Sequence, residues 1–466
     1  MTYSQADRHF LPYPLPQIIG HEVIVAIPDS HALLKDADFA AVEINNNCRQ
    51  ISCPYCANNT LPTQCPRRIT MGINTWPGGL APFMVVPVEN MIPVPRNTLS
   101  LLSATLIEPF AAALHAIDSS SLQQSDHVAI LGTGKLGLLA ILALDGRRRS
   151  DPKLSDIRIT AIVREGNLQH VSLAKSFGAD HIISVPKSEE GEESALANLE
   201  FDVVFDTSGN PKGLHRAISL ATREVHLKST HGQPVFGMKH WTEMVVAELA
   251  LIPATAQNLI SRLAWRNPTA PARLSATREK NMNIYVAPSA ADQLPTELLN
   301  HSEYTLYTDL SIAEADAALE SGTLGEHLLS LGSRLPRFDA AIVSSPEDVD
   351  AVVFPSQFHD KSLVAPRGAI FYLSADSSRI NENAMELLLQ NGTIISTSRC
   401  GDFKRALQIL LQRDGDKAEL IGNKLQQLVT HRYSLSDLPL AMEVARGNRV
   451  DGNKPVKIVV DCANVF

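Results

Sequence analysis

The sequence predicts an α/β protein: a doubly wound parallel sheet joined to a second, mainly β domain. Three observations predict it. Short apolar segments alternate with helix-patterned ones from His127 to Lys228, and such alternation points to parallel strands with helices on both faces. The glycine turn Gly132-Thr133-Gly134-Lys135-Leu136-Gly137 sits between the first of these strands and its helix. Before residue 119 the texture differs: short β-patterned runs, broken by proline, surround a cysteine-rich stretch.

The elements follow in order. The apolar run after Glu22 reads as a strand, and residues 44–70, rich in Cys, Asn, Pro and Arg, read as a loop or lobe. Met84 to Val94 reads as short β segments interrupted by Pro87 and Pro93. Residues 100–118 are helical, with an interruption expected at the Glu108-Pro109 step. Strands are then expected at 127–131, 157–163, 181–185, 201–206 and 224–228, with helices at 138–144, 168–177 and 214–221. Residues 253–335 carry only weak strands, such as 283–286. Further on, 338–343 loosely echoes 201–206, and 365–374 loosely echoes the fifth strand, a weak sign of a partly duplicated βαβ unit. Helices at 404–412 and 436–446 and a closing strand at 457–461 complete the reading.

The chain has 466 residues, 44% of them hydrophobic, which is ample for two or three cored domains. A net charge of -9 argues against a nucleic-acid partner, which needs a basic face. No apolar run approaches the roughly 20 residues of a membrane span. Residues 1–10 are polar and lack the apolar core of a signal peptide, so a cytoplasmic location is expected.

The glycine turn has a physical use in each position. Gly132 permits the tight turn, Gly134 lets the backbone approach a pyrophosphate, and Gly137 lets the helix pack on the strand. The helix start, with Lys135 and Leu136, offers free N–H groups and a positive dipole end to phosphates. At the end of the second strand Glu165 suits a ribose diol and favours NAD, whereas Arg164 beside it suits a 2′-phosphate and keeps NADP as an alternative. Both are equally readable as a solvated surface pair.

Cys48, Cys53, Cys56 and Cys65 form a Cys-x4-Cys-x2-Cys-x8-Cys pattern. Four thiolates in a short loop suit a tetrahedral zinc, which would stabilise a lobe with little core of its own. Four free or partly oxidised thiols are the plainer alternative.

Gly20-His21-Glu22, the cysteine lobe, Ile107-Glu108-Pro109 and the glycine turn occur in the order found in zinc-containing medium-chain dehydrogenases/reductases. The chain resembles that family, closest to its threonine, sorbitol and glucose dehydrogenase-like branch, over about residues 4–250 and 390–460. The stretches Cys65-Pro66, Met71-Gly72-Ile73, Phe201–Gly209 and Ser398-Arg399-Cys400-Gly401-Asp402-Phe403 share in it. The resemblance implies a GroES-like catalytic domain wrapped around a Rossmann domain. It implies a catalytic zinc in the cleft, with hydride passing between an alcohol or polyol substrate and the nicotinamide. His21 matches the histidine ligand, Glu22 the neighbouring carboxylate and Glu108 the third ligand. Residue by residue, the plainer alternatives are a buried histidine satisfied by backbone and a helix-end carboxylate.

The departures are equally specific. Where the family places a cysteine ligand in a Cys-x-Thr-Asp motif, this chain has Ser4-Gln5-Ala6-Asp7; Ser4 is a poor zinc ligand, and water or Ser4 would fill the remaining position at the metal. The chain begins almost on this motif, which suggests a shortened N-terminus or a misassigned start. Two extra residues separate the first two cysteines of the lobe. The expected organisation is 1–118 catalytic, 119–252 Rossmann, 253–390 an insert of partial α/β character, and 391–466 completing both domains. A catalytically impaired nucleotide-binding pseudoenzyme is the alternative function. Family members are often dimers or tetramers, so a homo-oligomer is open, although the insert could block the usual sheet-edge contact.

Overall fold

A computed structural model describes residues 17–27, 36–51, 53, 55–56, 62–65, 67–73, 75–228, 232–269, 282–321, 337–355, 362–373, 392–397, 400–415, 419–450 and 454–463. Ser4 and Asp7, and the Ser398-Arg399 step, lie outside the described residues.

Among the described residues eleven strands form one sheet. In spatial order they are Tyr304–Tyr307, Met282–Val286, Phe338–Val343, Val364–Leu373, Ala250–Ala254, Thr393–Ser396, Ala221–Leu227, Phe201–Asp206, His127–Leu131, Arg158–Arg164 and His181–Val185. All neighbours are parallel except Ala250–Ala254 against Thr393–Ser396, which run antiparallel. The period-two pattern of His127–Leu131 explains its place: Val128 and Ile130 join one apolar cluster, Ala129 and Leu131 the other. Leu138, Leu139, Ile141 and Leu142 of the helix Lys135–Ser150 cover the first face, and Leu214, Ala217 and Ile218 of the helix Pro211–Leu220 cover the second. Each fully buried leucine or isoleucine among them contributes roughly 1.5–3 kcal/mol.

The remaining strands build the mainly β domain. Ile24–Ala26, Phe39–Val42 and Met91–Pro93 form one antiparallel sheet; Asn45–Asn46, Ile69–Met71 and Thr75–Trp76 form a mixed one; Val429–Ser434 pairs with Lys457–Asp461. A Rossmann-type sheet therefore stands beside a mixed-strand, GroES-like domain.

Three expectations are corrected. The interruption in 100–118 falls before Ile107: a short helix Leu101–Ala104 ends there and Ile107–Asp118 starts anew. Pro109 is in the first turn, where its missing N–H has no intrahelical partner to lose. Between Met84 and Val94 only Met91–Pro93 is a strand, preceded by a single 3-10 turn at Val88–Asn90. The segment 253–390 does not merely interrupt the sheet: its described strands extend it, and the expected boundary at 252/253 cuts through Ala250–Ala254. Among the described residues no helix is long and apolar enough to cross a membrane.

Candidate functional site

The cysteine lobe is held by short turns. Cys53 N–H donates to Gln50 O, Cys56 N–H to Cys53 O and Cys65 N–H to Pro62 O. These turns aim four sulfurs at one point: the Sγ atoms all lie within 4.8 Å of one another. Cys48 Sγ and Cys56 Sγ are 3.6 Å apart, and Cys53 Sγ and Cys65 Sγ 3.9 Å. A tetrahedron of ~2.3 Å zinc–sulfur bonds has edges of about 3.8 Å, so the spacing fits zinc. Burial pushes the Cys56 and Cys65 thiols up. At Cys48 burial acts in the same direction, but the Gln50 backbone and the neighbouring thiols outweigh it and bring that thiol down to about 7. Such a mixed set of thiols and thiolate is what a metal converts fully to thiolates.

The second cluster is His21, Glu22 and Glu108, whose candidate ligand atoms also lie within 4.8 Å of one another. Gly20, at φ +101°, turns the chain into His21. The backbone there is packed so closely that a Cβ on Gly72 or Gly78 would lie 2.4 Å from Gly20 O. Glu108 comes from the first turn of Ile107–Asp118, where the helix dipole favours a carboxylate. Burial lowers His21 to about 4, assisted by the charges of Lys135 and Lys457. Burial raises Glu108 to about 7, opposed by Lys135 and Lys228. At neutral pH the histidine is thus neutral, with a ring lone pair to donate. A histidine and two carboxylates suit a divalent zinc with an open position.

Glu22 is not idle. Lys135 Nζ lies 2.7 Å from its Oε1, and Lys457 donates to its Oε2. Lys135 thus sits on the glycine turn, at the first position of the helix, yet directs its ammonium into the His21 cluster. The loop itself has the expected form. Gly132 is at φ +93°, Gly134 caps the helix, and Gly137 packs under Gly132 O. Thr207, at the end of the fourth strand, clamps the turn through Oγ1 to Gly132 O at 2.9 Å. Leu136 is half-buried against the helix-side core. At the second strand's end Arg164 donates to Glu192 Oε2 at 2.9 Å and to Pro186 O at 3.1 Å, while Glu165 is exposed.

Several residues around the cluster escaped the sequence reading. Lys457 lies in the last strand, 435 residues from Glu22, and burial lowers its amine to about 8. Lys228, at the end of the fifth strand, is buried and lowered to about 8, with Glu108 among the charges acting on it. Cys400 accepts from Asn45 Nδ2 at 3.2 Å, and the Glu108 charge acts on it. The family resemblance around Cys400 was the one available signal; Lys228 and Lys457 had none.

A glycine-looped parallel sheet beside a GroES-like domain is the two-domain architecture of the medium-chain dehydrogenases/reductases, and over part of its length the chain is similar to proteins of that kind. Among curated proteins it is 29% identical over 213 residues to a sorbitol dehydrogenase of Bacillus subtilis, covering 45% of this chain and 57% of the relative. It is 28% identical over 227 residues to an L-threonine 3-dehydrogenase of Bacillus velezensis, covering 47% and 61%. The chain thus spans about three fifths of the length of these relatives. Among solved structures an Escherichia coli oxidoreductase/dehydrogenase of unknown specificity shares the fold, with a TM-score of 0.50 at 14% identity over 97% of this chain and 85% of that one. No protein-family model matches the chain.

Proposed function

We propose that the protein is a zinc-supported oxidoreductase that transfers a hydride between an alcohol or polyol and a nicotinamide cofactor. One observation carries this reading: the convergent His21, Glu22 and Glu108 set is joined directly to the dinucleotide loop by the Lys135–Glu22 contact. The substrate class rests on relatives named for a polyol and a hydroxy amino acid. A zinc held by His21, Glu108 and Glu22 supplies a Lewis acid that polarises an alcohol oxygen. The chain's own residues bind and orient: the loop N–H groups take the pyrophosphate, and Lys135 ties that loop to the metal-binding carboxylate.

The test is zinc content. Wild-type protein is expected to hold two zinc ions per chain, falling to one in His21→Ala, with loss of NAD reduction by alcohols. One zinc in both proteins would remove the catalytic site. The pH dependence follows from Glu108. Its carboxylate must ionise to ligate, and its value of about 7 places that step in the neutral range, whereas His21, at about 4, is already neutral. Zinc affinity at this cluster is therefore expected to fall by up to about tenfold per pH unit below 7 and to level off above it. Competition with a chelator between pH 5.5 and 8 measures this, and a flat profile would exclude Glu108 as a ligand.

For the cofactor, NAD is the expected choice. Arg164 is committed to Glu192 and Pro186 O, which leaves the Glu165 carboxylate exposed at the strand end. Glu165→Ser is expected to improve NADPH binding by about tenfold, on the order of 1.4 kcal/mol, relative to NADH. Titration of both cofactors checks it; an unchanged ratio would place the ribose elsewhere.

A second reading has its own support. Both oxygens of Glu22 are taken by lysine ammonium groups, the arrangement expected of a nucleotide-binding pseudoenzyme whose cluster is neutralised without metal. It predicts dinucleotide binding with one zinc and no turnover, so the zinc count separates the two.

A further inference from the structure

We infer that residues 127–254 and 282–396 are two copies of one nucleotide-binding unit fused in a single chain, that the copies exchange their last strands, and that only the first retains a cofactor cradle. The third clause rests on the dinucleotide reading above; the first two do not.

The register of the sheet sets the equivalences. Val128 pairs with Val203 in one half and Ile284 with Ala340 in the other, so Val128 corresponds to Ile284 and Val203 to Ala340. Phe201–Asp206 and Phe338–Val343 then coincide; both begin Phe-Asp and share one burial pattern. Asp202 Oδ2 accepts from His127 N–H at 2.8 Å, and Asp339 Oδ2 from Asn283 N–H at 2.8 Å, at the same place in each half. The helices that follow, Pro211–Leu220 and Pro346–Val353, both start with proline behind a side-chain cap, Asn210 and Ser345. They also cover the same face of the sheet, since Leu214 and Val349 belong to one apolar cluster.

The last strands are crossed. After the fifth strand of the first copy, Ala221–Leu227, the chain forms Ala250–Ala254, which pairs not with it but with Val364–Leu373 of the second copy. Thr393–Ser396, which follows Val364–Leu373, pairs instead with Ala221–Leu227. The two crossed strands meet antiparallel. Glu224 faces Thr393 and the equivalent Ala369 faces Ala250, so Thr393 corresponds to Ala250 and Ile394 to Leu251. Leu251 pairs with Ile394, its own equivalent, as a two-fold axis through that point requires. Each copy thereby closes the other's sheet edge, which would otherwise present unpaired N–H and C=O groups.

The second copy has lost the phosphate cradle. Its register places Pro288-Ser289-Ala290-Ala291-Asp292-Gln293 where the first has Gly132 to Gly137. Gly132 turns at φ +93°, which proline cannot adopt, and Pro288 offers no N–H. The helix there has four residues, and Ser289 Oγ donates to Asp348 Oδ2, which puts a carboxylate where phosphates would lie. The second copy is a built-in structural partner.

Two measurements test this. Val225 of the first copy's fifth strand faces Ile394 of the second copy's last strand, on the same side of the sheet, and neighbouring strands hold such partners within disulfide reach. Oxidation of the double variant Val225→Cys/Ile394→Cys is expected to link the two cysteines within one chain, seen as a cross-linked peptide from protein that stays monomeric on a non-reducing denaturing gel. A covalent dimer, or no link in folded protein, overturns the exchange within one chain. Native mass spectrometry of the unaltered chain with NADH needs no variant. One NADH per chain is expected; two overturn the loss of the second cradle. A chain that binds none refutes the dinucleotide reading, and the cross-link still decides the exchange.

Discussion

Gly137→Ala is expected to abolish dinucleotide binding, raising Kd at least about 100-fold, or roughly 2.7 kcal/mol. A Cβ at this position would lie 1.9 Å from Gly132 O and 2.8 Å from Thr207 Oγ1. The first of these is backbone and is part of the turn, so the clash cannot be relieved by a rotamer change. Either the helix Lys135–Ser150 lifts off the first strand or Gly132 leaves its φ of +93°, and both destroy the cradle. Gly134→Ala provides the contrast. Gly134 has a φ of -65° and nothing within 4 Å of an added Cβ, so the fold accepts alanine there. Its expected effect is weaker NADH binding with an unchanged denaturation midpoint, because the methyl intrudes only on the space open to a pyrophosphate. NADH fluorescence titration with thermal unfolding separates the two variants. Retention of wild-type affinity by Gly137→Ala would mean that the cofactor binds elsewhere.

The contrast marks what the sequence could convey. Strands such as His127–Leu131, Phe201–Asp206 and Phe338–Val343 are short apolar runs bounded by turn residues, and local pattern is enough to bound them. The four cysteines converge because they lie within 18 residues of chain, so spacing alone foretells the cluster. Contacts made across the fold left no such trace. Nothing near Lys135 says that its ammonium reaches Glu22, 113 residues earlier, instead of a phosphate. The Glu108-Pro109 step reads as a break because proline disfavours helical backbone at the residue before it, yet the first turn tolerates it. The duplicated unit was legible only as two faint echoes. Its diagnostic loop has become Pro288-Ser289-Ala290, and the strand exchange is a fact of pairing, which composition does not record.

Arg367→Met is expected to destabilise the protein by about 3–5 kcal/mol, the range for breaking a buried ion pair from one side. Arg367 Nε lies 2.8 Å from Glu248 Oε2, and His115 Nε2 lies 2.8 Å from Glu248 Oε1. Gln64 Nε2 adds a bond to Glu248 Oε2 at 3.1 Å, and Arg367 Nη1 donates to Thr269 O at 2.7 Å. The Glu248 side chain is fully buried, so this is no surface pair of the kind worth under about 1 kcal/mol. Its members come from the cysteine lobe, the helix that carries Glu108, the turn before the crossed strand Ala250–Ala254, and the fifth strand of the second copy. Glu248 and Arg367 are both held at positive φ, +57° and +64°, a local strain that the network must offset. Burial alone would raise the Glu248 carboxyl, but Arg367 and His115 hold it well below its ordinary value. A depressed carboxyl contributes stability that is complete above its unfolded value and is lost as pH falls through the folded one. The contribution therefore persists through the neutral range and fades only in acid, below about pH 4. Removing Arg367 strands the Glu248 charge beside a histidine that burial keeps neutral. Glu248→Gln in the Arg367→Met background is expected to recover part of the loss, because the amide needs no counter-charge. Denaturant midpoints of wild type, the single variant and the double variant measure it at pH 7. A single variant as stable as wild type, or a double variant less stable than the single, would show that the network does not hold these parts together.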